Sequence, residues 1–189
     1  MLVLWEDSRS ASGEFGPHEL LCSLVADDRG ASVYDVRRAL NSVTLNGVSN
    51  LLKSARSLQR FKRQAPGAEL VLAIFDEDKI RLELKLVPTA SDAEIEAAVR
   101  AQCDQPERLK VVLLHRNAES VIRASKECDE RSQLRSDLLQ DALEKDLNAR
   151  DALLARIARD SSLRALRDCI RRRIPALDRA VRIALQAAG

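Results

Sequence analysis

Short apolar runs alternate with segments of helical periodicity over the first two-thirds of the chain. Three runs consist almost entirely of Val, Ile, Leu and aromatic residues, which is typical of buried strands; they cover residues 2–5, 70–75 and 110–114. A weaker run at residues 31–36 predicts a further strand. Strands that alternate with helices predict an α/β fold, with a mainly parallel sheet flanked by helices and right-handed crossovers.

The segments between these runs carry helix signals. Pro17 suits the first turn of a helix, and residues 48–61 place apolar side chains on one face of another. Ser91 stands three residues before Glu94, the spacing of a capping box at a helix start. Residues 82–87 alternate between apolar and polar side chains, which predicts either a short edge strand or a loop.

From about residue 120 onward no strand pattern remains. Helical segments fill most of residues 120–174, and Pro175 starts a last helix. We therefore predict an α/β domain over residues 1–125 and an all-helical C-terminal extension over residues 126–189.

The composition narrows the class of protein. Hydrophobic residues make up 46% of the 189 residues and charged residues 32%, so a folded core is expected and disorder is not. No apolar stretch reaches the roughly 18–20 residues that span a bilayer. The N-terminus lacks the basic region and long apolar run of a signal peptide. We expect a cytoplasmic protein that does not bind membranes.

The four cysteines, Cys22, Cys103, Cys128 and Cys169, are widely scattered. Zinc ribbons need closely spaced cysteine pairs, so a zinc site of that kind is improbable. Free cysteine mostly behaves as a small buried apolar residue, and we expect four reduced thiols. The 2 histidines of the chain leave little material for histidine-based metal sites or catalytic triads.

Acidic residues follow three of the predicted strands. Glu6 and Asp7 end the first run, Asp76 and Asp78 follow the second, and Glu119 lies five residues past the third. The carboxyl ends of parallel strands share one edge, where α/β proteins bind ligands. Converging carboxylates repel each other unless a cation neutralises them, so these acids predict a site for Mg²⁺ or Mn²⁺. The alternative is that each acid caps the helix that follows it.

A Glu at the end of the first strand and an Asp-x-Asp after a later one resemble the Toprim domain. That compact α/β domain occurs in topoisomerases, primases, recombination-mediator proteins and overcoming-lysogenization-type nucleases. The resemblance covers about residues 1–125 and is closest to small stand-alone Toprim-like proteins. It implies that Glu6 acts in acid/base chemistry at a phosphodiester and that Asp76 and Asp78 hold Mg²⁺, with Glu119 as a further acid.

Basic residues indicate where a nucleic acid would bind. Lys53, Arg56 and Arg60 lie opposite the apolar face of one predicted helix, and Arg171 and Arg172 belong to a strongly basic tail. Lysine and arginine neutralise backbone phosphates, and arginine can do so bidentately. The alternatives are a solvated helix face and a surface of internal ion pairs. Aromatic residues make up only 3%, which disfavours recognition of bases by stacking.

Neither GxGxxG nor GxxxxGKS occurs in the sequence, so no nucleotide cofactor is expected.

Two hypotheses of different classes follow for the function of the protein. The leading hypothesis is a Mg²⁺- or Mn²⁺-dependent nuclease or nuclease-like subunit in defence or repair. The resemblance also implies a protein partner such as an ATPase. The alternative is a non-catalytic scaffold whose helical tail docks another subunit. A receiver-like phospho-acceptor domain is disfavoured because Arg116 stands where its lysine would be sought.

Overall fold

A computed structural model describes residues 1–6, 16–62, 67–115, 117–130, 132–144 and 146–187. These residues form a four-stranded, all-parallel sheet in the order β2-β1-β3-β4. The strands are β1 (Leu2–Glu6), β2 (Asn41–Leu45), β3 (Val71–Asp76) and β4 (Leu109–Leu114). The predicted α/β class and parallel sheet are confirmed.

Helices cover both faces of the sheet. Within the described residues they are α1 (Gly16–Arg29), α2 (Val33–Ala39), α3 (Val48–Arg56), α4 (Glu77–Glu83), α5 (Asp92–Ala101), α6 (Asn117–Cys128), α7 (Ser136–Leu143), α8 (Leu147–Arg159), α9 (Arg164–Arg173) and α10 (Pro175–Ala187). Short 3₁₀ turns follow α3 (Leu58–Lys62) and α8 (Ser161–Leu163).

Three of the four predicted strands are confirmed, and the one at residues 31–36 is wrong. Those residues lead into α2, because the Ser32 hydroxyl accepts a hydrogen bond from the Asp35 amide at 3.1 Å and caps a helix there. The strand lies later, at β2, which pairs only with β1 and is partly exposed. An edge strand of this kind needs no continuous apolar run, so the pattern did not indicate it.

The helix starts were predicted better than their ends. The capping box is present: the Glu94 amide donates to Ser91 Oγ at 3.3 Å, and Glu94 Oε2 accepts from the Ser91 amide at 2.7 Å. The helix expected over residues 48–61 stops at Arg56 and continues as a 3₁₀ turn. Residues 82–87 form no strand, since α4 runs through Glu83.

Alternation along the strands divides the core into two apolar clusters. Trp5, Ile74 and Val112 pack on the side of α1, α6 and the C-terminal helices. Leu4 and Phe75, one position away on their strands, pack on the side of α3, α4 and α5. Successive side chains of a strand point to opposite faces, so each central strand is buried on both sides.

The C-terminal helices pack on the α/β core. Helices α8 and α10 contact α1, and Leu153, Ile157 and Val181 belong to the same apolar cluster as Trp5. The helical extension predicted for the C-terminal part is confirmed as a group of helices. The boundary predicted at residue 125 falls within α6 and stays a prediction.

A buried arginine joins three of these helices. Arg167 in α9 is 3% exposed, and its guanidinium donates to both carboxylate oxygens of Asp27 in α1, at 2.7 and 3.1 Å. It also donates to the carbonyls of Ile157 and Asp160, each at 2.8 Å. The buried charge is therefore paired and hydrogen-bonded, as burial requires.

The expectation of four reduced thiols is wrong for one pair. Cys128 of α6 and Cys169 of α9 form a disulfide, while Cys22 and Cys103 are free. Their spacing of 41 residues carries no motif, and only the packing of α6 on α9 brings the two together. Disulfides are rare in a reducing cytosol, so this pair counts against the cytoplasmic expectation, which stays a prediction.

Among the described helices, none has the length and apolar character of a bilayer span.

Candidate metal centre at the carboxyl edge of the sheet

The predicted acids at the ends of β1 and β3 reach the same edge of the sheet. Trp5 pairs with Ile74 in parallel register, so Glu6 and Asp76 end neighbouring strands. Asp76 in turn pairs with Leu114, the last residue of β4. We call this rim, made of residues 6, 76–79 and 115, the carboxyl edge.

A lysine lies between the two strand-end carboxylates. Lys79 Nζ is 2.8 Å from Glu6 Oε1 and 3.8 Å from Asp76 Oδ2. The side chain of Glu6 is only 6% exposed and that of Asp76 12%, whereas that of Lys79 is 55% exposed. Glu6 and Asp76 therefore approach a common cation, which in this structure is an ammonium group. Their catalytic and metal-binding roles stay predictions.

The environment of Asp76 raises the pKa of its carboxyl above the ordinary value. Burial raises the pKa of this carboxyl, and the negative charges of Glu6 and Asp78 raise it further, although the Lys79 ammonium and a backbone hydrogen bond at Asp78 oppose them. A carboxyl with a raised pKa at a ligand-binding edge is a candidate for proton transfer.

A second group of side chains at the carboxyl edge brings three metal-ligand atoms close together. Glu77, Asp78 and His115 each offer one ligand atom, and the three atoms lie within 4.8 Å of one another. Glu77 Oε2 is 3.1 Å from His115 Nδ1, and Arg81 donates to the other oxygen of Glu77. Asp78 and His115 are exposed, so solvent or a substrate can reach the group. This cluster can hold a metal ion.

Local structure explains how these three residues meet. Helix α4 begins immediately after β3, which puts Glu77 and Asp78 in its first turn. His115 is the first residue past β4, the neighbour of β3. The Ser120 hydroxyl of α6 donates to the His115 carbonyl and helps to hold that turn.

Sequence reasoning named Asp78 for this site but missed Glu77 and His115. The small number of histidines in the chain gives no reason to expect His115 in a metal site. A usable signal was present, since His115 directly follows the buried run at residues 110–114. By the same rule that pointed to Asp76, it should reach the carboxyl edge.

The fourth predicted acid, Glu119, has a different partner. Its Oε1 lies 3.2 Å from a guanidinium nitrogen of Arg150 in α8. Together with Ile122 and Leu143 this pair lines a small pocket between α6, α7 and α8. The structure does not include Glu119 in the group formed by the three ligand atoms, and its metal-binding role stays a prediction.

The predicted nucleic-acid-binding residues divide into two groups. Lys53, Arg56 and Arg60 are exposed, and α3, which carries the first two, packs against α4. The Arg56 carbonyl accepts from the Asp104 amide at 2.9 Å, so this end of α3 lies toward the amino ends of the strands. Arg171 is instead held by Asp28 at 2.5 Å and by Asp178 at 2.6 Å, with 18% of its side chain exposed.

The remaining tail residue, Arg172, is exposed. The ion pairs of Arg171 with Asp28 and Asp178 fit the alternative of an internally paired surface better than a phosphate-binding role.

Two other residues that entered the predictions, Asp7 and Arg116, lie outside the described residues.

Comparisons of the chain with protein-family models, with curated proteins and with solved structures found no match. The Toprim-like resemblance therefore stays a prediction that depends on Glu6, Asp76 and Asp78 at the ends of their strands.

Proposed function

We propose that the protein binds a divalent metal ion at the carboxyl edge and uses it for phosphodiester chemistry on a nucleic acid, as a nuclease or nuclease-like subunit. The observation that supports it is the mutual approach of the ligand atoms of Glu77, Asp78 and His115 within 4.8 Å. This group lies beyond the carboxyl ends of β3 and β4, where α/β folds bind ligands.

The ligand types favour Mn²⁺ over Mg²⁺. Two carboxylates suit either ion, but an imidazole nitrogen is a poor ligand for Mg²⁺, which prefers oxygen ligands. A bound divalent ion would polarise a phosphoryl oxygen and stabilise the charge that develops on it. The exposed positions of Asp78 and His115 leave room for such a substrate.

Two other parts of the molecule support proton transfer and phosphate binding. The raised pKa of Asp76 suits it to donate or accept a proton, a role that the resemblance assigns to Glu6. Lys53 and Arg56, exposed on α3, would contact backbone phosphates farther along a strand that reaches the metal site.

Titration of the full chain with Mn²⁺ in a calorimeter tests the metal site. We expect one ion per chain in the wild type and loss of binding in Asp78→Asn and in His115→Gln, because each variant removes one ligand atom. Glu83→Gln is the matched control, since it removes an exposed carboxylate of the same helix. A wild type without stoichiometric Mn²⁺ binding would refute the proposed site.

Cleavage of end-labelled DNA and RNA in the presence of Mn²⁺ tests the chemistry. We expect the activity to disappear in Asp78→Asn and to weaken with a reduced salt dependence in the double variant Lys53→Gln/Arg56→Gln. Arg172→Gln, an exposed arginine of the tail, shows whether the tail contributes. Stoichiometric Mn²⁺ binding without cleavage of any polymer would keep the metal site and reject the nuclease assignment.

The scaffold hypothesis stays as the alternative, but the structure offers it less support. A docking tail needs an apolar face that is free for a partner, whereas Leu153, Ile157, Leu177 and Val181 of α8 and α10 are buried within the chain. An ATPase partner and a role in defence or repair depend on the resemblance alone.

A further inference from the structure

We propose that Lys79 acts as an internal cation that occupies the carboxylate pair Glu6 and Asp76 and so limits the carboxyl edge to one bound metal ion. The inference builds on the proposed function, because it assigns the first ion to Glu77, Asp78 and His115. It goes beyond that function by giving a specificity-determining role to a residue that is not itself a metal ligand.

The burial of the three side chains shows which of them can move. Glu6 and Asp76 are 6% and 12% exposed and end adjacent strands of the sheet, so their positions are set by the strands. Lys79 is 55% exposed and reaches them from the first turns of α4. Lysine is a flexible chain with a compact charge at its tip. The ammonium is therefore the exchangeable partner of this trio.

The unpaired oxygen of Glu6 favours a cation that binds both oxygens of the carboxylate. Oε1 of Glu6 receives the ammonium at 2.8 Å, but Oε2 is buried and has no hydrogen-bond partner among the described residues. A buried carboxylate oxygen without a partner is unfavourable. A divalent ion can bind both oxygens of one carboxylate, which an ammonium at one oxygen does not.

The charges lead to the same conclusion. Two ionised carboxylates carry two negative charges, and one ammonium neutralises half of that. A divalent cation would neutralise both, which is why paired carboxylates commonly hold one. Removal of the Lys79 charge should therefore leave a carboxylate pair that binds a second divalent ion.

The test is the number of Mn²⁺ ions bound per full chain at saturation, measured by equilibrium dialysis with the free ion followed by electron paramagnetic resonance. We expect one ion for the wild type, two for Lys79→Met, and one again for Lys79→Met/Glu6→Gln. Lys126→Met, an exposed lysine of α6, is the matched control and should bind one. Circular dichroism of each variant verifies that the fold is retained.

The outcomes separate this inference from the proposed function. One ion in both the wild type and Lys79→Met would overturn the role of Lys79 and leave the proposed metal site intact. A second ion that persists in Lys79→Met/Glu6→Gln would also overturn it, because that ion would lie elsewhere. A third outcome is no ion in the wild type, one ion in Lys79→Met and none in Lys79→Met/Glu6→Gln. That result would support the inference about Lys79 and refute the proposed site. No ion in any variant would refute both.

Discussion

Acidification from pH 7 to pH 5 is expected to destabilise the fold through one buried side chain, His18 in α1. This residue is 1% exposed, and its Nε2 lies 3.5 Å from the Sγ of Cys22. Its Nδ1 has no hydrogen-bond partner among the described residues. Burial, and secondarily the positive charge of Arg37, lowers the pKa of His18 from 6.5 to about 4. Burial also raises the pKa of Cys22 to about 12, so the thiol stays protonated in this range.

The sign and size of the effect follow from proton linkage. Below about pH 6.5 the unfolded chain binds a proton at His18, whereas the folded chain does so only near pH 4, so the unfolding free energy falls as the pH falls through this window. The full difference is about 3 kcal/mol, and about 2 kcal/mol of it is lost between pH 7 and pH 5. That loss is large beside a typical stability of about 5–15 kcal/mol.

Urea unfolding followed by circular dichroism at pH 7, 6 and 5 measures this loss. His18→Gln cannot be protonated, so its unfolding free energy should depend less on pH by about 2 kcal/mol over the same range. The comparison uses the change with pH within each variant, so a general loss of stability in His18→Gln does not affect it. His115→Gln, which removes the exposed histidine, should leave the contribution of His18 to the pH dependence intact.

The two histidines also allow a direct measurement. Proton NMR of the imidazole rings should show two Hε1 resonances, one for each histidine, which the two glutamine variants assign, and the His18 resonance should remain that of a neutral ring at pH 5. Equal losses of stability in the wild type and His18→Gln, or a His18 resonance that titrates between pH 7 and pH 6, would refute the reasoning.

Two further predictions concern stability. Cys128→Ser removes the cross-link between two residues that lie 41 apart in the chain, so the unfolding free energy measured by urea titration should fall by about 4 kcal/mol. Cys103→Ser, which removes a free thiol, is the control. Equal losses of unfolding free energy in the two variants would contradict the prediction. Asp76→Asn should raise the unfolding free energy at pH 7, because burial and neighbouring acids raise the pKa of this carboxyl and disfavour its ionised form in the fold. The gain should shrink as the pH falls from 7 toward about 4, the ordinary pKa of aspartate, and an undiminished gain at pH 4 would contradict this account.

The strands with mostly buried side chains, β1, β3 and β4, were predictable, and the half-exposed edge strand β2 was not. Strands β1 and β3 are buried on both faces, so each appears as a continuous apolar run that needs no knowledge of its neighbours. Strand β2 is half-exposed and lacks that run. At residues 31–36 the cap formed by Ser32 outweighed a weak strand pattern.

The candidate site was predicted in part for a similar reason. Asp76 and Asp78 follow a clear strand, so their place at the carboxyl edge could be expected from the sequence. The approach of His115 to Glu77 depends on the adjacency of β3 and β4 and on the immediate start of α4. The adjacency of β3 and β4 is not encoded in a local pattern, because strand order is a property of the whole sheet.

Local periodicity was enough to establish the α/β class, the parallel sheet, the helical C-terminal part and the acids at the strand ends, since these depend on neighbours a few residues apart. Partner choice among charged and sulfur-containing side chains depended on tertiary packing. Lys79 contacts Glu6, Arg171 contacts Asp28, and Cys128 joins Cys169, all across many residues of chain. A charge or a thiol can pair with any complementary group that the fold brings within a few ångströms, so only the packed structure selects among them.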